Sequence, residues 1–367
     1  MQKKQVAILD FGSSELRTYV AERGVNKTFV IKGQKSFAYD GFSQDGFYDE
    51  NALKQVLLDA GNFLFNVDKR IHLVYIGVPG AFTQVNVKVS QLAFPKKKKI
   101  TDADVDNLYD AAFVANSTKK TVINRSAIVY ELDDGRRLAN PVGAVSQILK
   151  GKLSFVLCDN SFIEICRSAM LTCGFKSVEF VSNALAQAMY LIDAETRDKV
   201  AVLADVGYIS TTVSVVFGDG IIYQNSFDYG GGYVTAGLSE RYSIDFAEAE
   251  ALKCNSSISR IFITDNEELI QLSDGRLISA EDVKKCICYS LDAFCELITE
   301  SLDNSGLKIP EYVPIHVTGG GLLLRGAKEY VASRTGKVIE VAKPIVPLMD
   351  SPLQSSALSV LDIALEQ

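Results

Sequence analysis

"AVLADVGYISTTVSVV" (201–216) runs from an apolar strand through Asp205, Val206 and Gly207 into a short turn, then into a strand rich in β-branched residues. That pattern predicts a β-hairpin with a carboxylate at the end of its first strand. "VAILDFGSSELRTYV" (6–20) has the same layout: apolar strand, Asp10, an apolar residue, Gly12, a short turn and a return strand. Two hairpins of one design, far apart in the chain, predict two related halves. Each would send one aspartate into the space between them. Strand–turn–strand segments are common, so chance would also produce the echo, and other elements must weigh in.

Two further elements do. "IPEYVPIHVTGGGLLLRGAKEYVASRTG" (309–336) reads as a strand, three glycines and a helix. Gly319, Gly320 and Gly321 let the backbone approach a flat ligand, and Gly326 relaxes the next turn; a simple strand-to-helix turn would also use them. "GGGYVTAGLSERYSIDFAEAEALK" (230–253) is a glycine turn, including Gly231 and Gly232, followed by two helices. On the second helix Glu250 and Lys253 are three apart and share a face, either as a wall for the hydroxyls and ring edge of a nucleoside or as a surface ion pair.

These elements, in this order, resemble the actin, sugar-kinase and heat-shock-chaperone ATPase superfamily, and within it most closely the bacterial FtsA family. The resemblance spans almost the whole chain and includes "NPVGAV" (140–145), "SNALAQAMYLI" (182–192) as an interdomain helix and "PLQSSALSVLDIALEQ" (352–367) as a closing helix. It implies an α/β fold of two actin-like lobes, built from duplicated ribonuclease-H-like domains, with a small inserted α+β subdomain called IC. Residues 1–81 with 159–200 and 346–367 would form lobe I (IA), and 82–158 the insertion. Residues 201–246 with 299–345 would form lobe II (IIA), and 247–298 its outer part (IIB). In the insertion, Thr101 caps a helix with Asp104 as its reciprocal partner, and Val105, Leu108 and Ala112 line one face. "PKKKK" (95–99) before it reads as a solvated loop, with a polar partner or lipid headgroup as the sharper reading.

The resemblance also implies the site. Gly12, Ser13 and Ser14 form the first phosphate loop, Gly207 the second, and Gly319 to Gly321 the adenosine loop of an ATP or ADP site. Asp10 and Asp205 would hold Mg²⁺ through water, a hard cation suited to oxygen ligands. The second loop departs from the family pattern, in which Asp-x-Gly is followed by two glycines, two threonines and an aspartate. Tyr208 and Ile209 stand at the glycines and Thr212 at the closing aspartate. A β-branched residue strongly disfavours positive φ, so Ile209 predicts a rebuilt turn. Phosphoryl transfer depends on positioning, so a shifted loop lowers rate more than binding. Asn183 and Gln187, four apart on the interdomain helix, are candidates for orienting water, or simply that helix's polar face.

By the same resemblance the chain would polymerise head to tail and recruit the tubulin-like FtsZ. FtsZ's acidic-apolar tail would dock near the helix at 279–298, where Lys284 and Lys285 are cations. A pilus-assembly scaffold of the PilM type and an actin-fold small-molecule kinase stay open as alternatives. Family members reach the membrane through a basic amphipathic tail. After Lys343 this sequence has no Lys or Arg, so Leu358, Leu361 and Leu365 are expected to pack into the core rather than on an anionic membrane.

Composition fits a cytoplasmic protein without nucleic-acid binding. The net charge of −7 lacks the basic balance of a nucleic-acid binder, and 47% hydrophobic content suffices for real cores. The seven cysteines have no zinc-finger spacing and read as scattered thiols; Cys286 and Cys288 would face different ways on a helix. His72 and His316 adjoin apolar strand-like runs and read as structural.

Overall fold

The computed structural model describes residues 5–25, 28–113, 119–259 and 268–366. Strands β1 (Gln5–Phe11), β2 (Glu15–Arg23) and β3 (Phe29–Ala38) form an antiparallel meander. After helix α1 (Glu50–Val67), strand β4 (Leu73–Val78) returns parallel to β1. The chain then leaves this sheet for β5 (Thr83–Lys99), α2 (Asp102–Ala112), β6 (Lys120–Leu132) and β7 (Val145–Asp159). It re-enters through α3 (Asn160–Thr172) and β8 (Ser177–Ser182), giving the order β3-β2-β1-β4-β8.

Helix α4 (Asn183–Leu191) leads to the second half. There β9 (Ala201–Val206), β10 (Thr211–Phe217) and β11 (Gly220–Phe227) form another meander. Helices α5 (Gly231–Tyr242), α6 (Phe246–Asn255) and α7 (Ala280–Asp303) follow. Strand β12 (Ile315–Thr318), helix α8 (Ala327–Thr335) and strand β13 (Ile339–Val341) complete the sheet as β11-β10-β9-β12-β13. Both sheets have one topology: a three-stranded meander extended by two parallel strands. The duplication predicted from the two hairpins is therefore present, and the fold is actin-like α/β.

Apart from Gln5 and the two aspartates, both inner strands are apolar because both of their faces are covered. In β1, Ala7, Leu9 and Phe11 face the core shared with α1 and α3, whereas Val6 and Ile8 face the closing helix α9 (Ser355–Glu366). In β9, Val202, Ala204 and Val206 face one core, and Ala201 and Leu203 the other. A strand covered on both sides loses the polar alternation of a half-exposed one, and each large side chain so buried contributes about 1.5–3 kcal/mol. Helix α4 is apolar for a related reason. Ala186 packs on the first half, while Ala184, Leu185 and Ala188 pack on the second. Leu358 and Leu361 are fully buried and Leu365 partly so, which makes α9 part of the first half's core.

The inserted strands form their own sheet, β5-β7-β6 with a short strand at Arg137–Leu138, covered on one face by α2. The Thr101–Asp104 capping box is formed, and Leu108 is buried beside the partly buried Val105 and Ala112. Residues 95–99 differ from the expected loop: they are the end of β5, pairing Lys98 with Ser146 and Lys99 with Val145. Pro95 falls where the register shifts on this edge strand, a position that asks no amide of it. Asp133 lies 3.4 Å from Lys97 and Asp104 2.8 Å from Lys98, which offsets the crowding of the lysines.

Candidate functional site

Asp10 and Asp205 end the inner strands of the two sheets and line one cavity of about 550 Å³. Helix α4 holds both. The Asn183 amide donates to Asp10 Oδ1 at 3.2 Å, and the Gln187 amide donates to Asp205 Oδ2 at 2.9 Å. Four residues apart is one helical turn, so a single element reaches both carboxylates. The pair, candidates for orienting water, each give one N–H to an aspartate, while Asn183 Oδ1 and Gln187 Oε1 have no hydrogen-bond partner. Ser356 at the start of α9 also donates to Asp10 Oδ1, at 2.5 Å.

Asp10 is completely buried, and Asp205 keeps some surface on the cavity wall. Desolvation raises the pKa of both. Arg17, Ser356 and Asn183 oppose it at Asp10, and Gln187 opposes it at Asp205. Among the described residues no cluster of three metal-ligating side chains exists. A hard cation is instead offered two carboxylates, of which Asp10 Oδ2 has no hydrogen-bond partner, and two buried amide oxygens also without one, Asn183 Oδ1 and Gln187 Oε1. That all-oxygen set fits Mg²⁺ held largely through its water shell. Arg17 is a resident competitor. Its guanidinium lies 3.8 Å from Asp10 Oδ2 and donates to the Leu353 carbonyl. Sequence reading missed Arg17, although hairpin register places it opposite Asp10.

The second loop is rebuilt, not strained. Neither Tyr208 nor Ile209 has positive φ, and the turn closes with the Gly207 amide donating to Ser210 O at 2.9 Å. The Tyr208 and Ile209 amides point at the first loop, where both donate to Ser13 Oγ at 3.0 Å. Room for this approach comes from Gly41, at φ +92°, whose Cβ would collide with the Ser13 carbonyl and Ile209. Thr212, at the position of the family's aspartate, bonds Ser226 Oγ at 3.0 Å and carries no charge.

The opposite end is also internally connected. The Tyr208 hydroxyl donates to Glu250 Oε2 at 3.0 Å, and its ring lies under Lys253 Nζ at 5.2 Å. Glu250 Oε2 accepts from Lys253 at 2.8 Å and from Thr235 at 2.5 Å. Burial alone would raise the Glu250 carboxyl, but these donors hold it below the usual value; burial pushes the Tyr208 phenol up to about 12. The Gly231 amide donates to Gly207 O and the Gly232 amide to Tyr208 O, so the start of α5 is satisfied by the second loop.

Gly319, Gly320 and Gly321 line the cavity with Gly12, Ser13, Ser14, Gly207, Gly231, Glu250 and Lys253. Gly319, at φ +84°, packs so closely on β9 that a Cβ would strike the Val206 carbonyl and the Asp205 carboxylate. Of the expected nucleotide residues, Gly232 alone lies behind the cavity wall, under Tyr208. Lys284 and Lys285 stand elsewhere, in the first turns of α7, each within 4 Å of its own carboxylate, Glu281 or Asp282.

Comparison with known proteins agrees with the fold. Residues 202–360 match the family model "Cell division protein FtsA". The chain is 20% identical to the cell division protein FtsA of Neisseria meningitidis serogroup B, over 97% of this chain and 84% of that one. It is 22% identical to that of Streptococcus pneumoniae serotype 2, over 97% and 79%. In shape it is similar to a chain of the PilM-PilN type IV pilus biogenesis complex, with TM-score 0.65, 15% identity and 100% of both chains covered. It is also similar to MreB5 of Spiroplasma citri bound to ADP, with TM-score 0.55, 13% identity, and 98% of this chain and 95% of that one covered. Among the described residues no helix is long and apolar enough to cross a membrane.

Proposed function

We propose that the chain is a divergent relative of the FtsA cell-division proteins and a nucleotide-binding scaffold of the division machinery with little or no ATP hydrolysis. The observation that carries this reading is the pair of aspartates, one from each half, gripped by two amides of a single helix at the cavity between the hairpins. A ligand touching both hairpins would bias how the halves sit, which is what a nucleotide-responsive scaffold requires.

ATP or ADP would lie with its base between Gly319–Gly321 and the Glu250–Lys253 side, and with its phosphates toward Ser13, Ser14 and Gly207. Bound Mg²⁺ would supply charge neutralisation for the phosphates, with Asp10 and Asp205 ordering its waters. Hydrolysis is weak in this reading because the two second-loop amides best placed for an oxyanion are already engaged by Ser13. The scaffold would form head-to-tail filaments in which the inserted sheet of one subunit meets the second half of the next, a heterologous contact that need not close. Recruitment of the FtsZ tail around α7 and localisation at the division site, through a tether or partner, belong to the same proposal.

Titration calorimetry with Mg-ADP and Mg-ATP tests it. Saturable binding of both, with phosphate release near background, is the expected result. No heat of binding up to millimolar nucleotide would sink it.

A further inference from the structure

A second concavity lies away from the aspartates, where the inserted sheet meets the second half. We propose that this groove, of about 370 Å³, docks an extended acidic peptide carrying an apolar side chain. The inference goes beyond the nucleotide reading and does not depend on it.

The groove arises because two elements touch at one end and diverge at the other. At the contact, the Ser154 hydroxyl donates to the Ile221 carbonyl at 2.6 Å and the Asp219 amide donates to the Ala127 carbonyl at 3.2 Å. Gly218 and Gly220 permit this, since a Cβ on either would meet Ile128. Beyond the contact, Ile128 forms an apolar floor, with Phe217 and Ile222 on one wall and Val89, 62% exposed, on the other.

The rim is cationic. Lys150 and Lys152 are two apart on β7 and point to one face, with Arg137 nearby from the short strand that flanks β6. Glu131 is the one carboxylate in the lining. It lies 3.5 Å from Arg137 and 3.8 Å from Lys150, and among the described residues Lys152 has no ion pair. Three cations against one carboxylate leave a positive rim in a chain whose net charge is −7. That local inversion around an apolar floor complements a peptide whose carboxylates flank a hydrophobic anchor.

The probe is a displayed library of random dodecapeptides, selected on the wild-type protein and counter-selected on Lys150→Glu/Lys152→Glu. Enriched sequences should carry Asp or Glu on both sides of an apolar residue. Fluorescence anisotropy with one such peptide should show an affinity loss of about three- to five-fold per cation removed in the milder Lys150→Gln/Lys152→Gln protein, with melting unchanged. Lys54→Ala/Lys69→Ala, exposed cations in and just after α1, should bind as wild type. No enrichment over the counter-selected protein, basic or neutral winners, or an equal loss of binding in the Lys54/Lys69 variant would each overturn the proposal. So would groove variants that alter self-association while leaving peptide affinity intact, because the occupant would then be a second copy of the chain.

Discussion

The two hairpins have the same strand order, the same antiparallel pairing and an aspartate at the same place, yet they end in unlike loops. The first keeps Gly12, Ser13 and Ser14 beside Asp10, with Arg17 across the pair; the second has Tyr208 and Ile209 beside Asp205, with Thr212 across. In the first, a hydroxyl is presented to the opposite half. In the second, the amides that receive an oxyanion in a phosphate loop are committed to that hydroxyl, while Tyr208 reaches the far wall at Glu250. One hairpin has become the other's ligand. The difference teaches that a duplicated frame can keep its charge geometry while the chemistry at one end is reassigned.

The strongest way to break this comparison is to make the hairpins alike. Tyr208→Gly with Ile209→Gly and Thr212→Asp returns permissive residues and a carboxylate to the second loop. Steady-state phosphate release should rise about ten- to a hundred-fold, within the range one or two oxyanion donors supply, with ADP affinity nearly unchanged. Robust turnover in the unmodified protein would show that the rebuilt loop is already competent.

A smaller effect isolates the bridge itself. Ser13→Ala removes the acceptor shared by two partly buried amides and should lower stability by about 1–2 kcal/mol in urea unfolding. The freed amides should also tighten Mg-ADP binding by about three-fold in calorimetry. Weaker binding with unaltered stability would mean that the Ser13 hydroxyl serves the nucleotide and not the loop.

The smallest effect concerns the feature that the hairpins share. Asp10 and Asp205 both have carboxyls raised above the ordinary 3.8, so the folded chain holds their protons more tightly than the unfolded chain does. Stability from this source is intact below the unfolded value and falls as the pH rises through the interval up to the folded one; the deficit persists at neutral pH. Asp205→Asn should therefore raise the melting temperature by a few degrees at neutral pH, with the gain shrinking as the pH is lowered toward 4. A gain independent of pH would assign the effect to packing.

The resemblance to the FtsA family is legible in the sequence because it rests on local pattern: apolar runs, an aspartate at a strand end, glycines before helices. The Thr101–Asp104 cap and the burial of Leu358 and Leu361 were legible for the same reason, as each depends on residues one or two turns apart. Residues 95–99 misled because the signal was lysine content, whereas their state is set by pairing with Val145 and Ser146 on a distant strand.

The sequence by itself determined two hairpins of one layout, each with an aspartate at the end of its first strand, since hydrophobic periodicity and turn residues specify strands; the two-lobed fold came from the resemblance. It also showed Tyr208 and Ile209 where the pattern it resembles has glycines. Only the tertiary structure decided where the polar groups went: Asn183 and Gln187 to the two carboxylates, Arg17 to the Leu353 carbonyl, and the Tyr208 and Ile209 amides to Ser13. Nearly all of those contacts join the two halves or distant parts of one half. Hydrogen bonds of that kind depend on how finished elements dock, and no local periodicity records them.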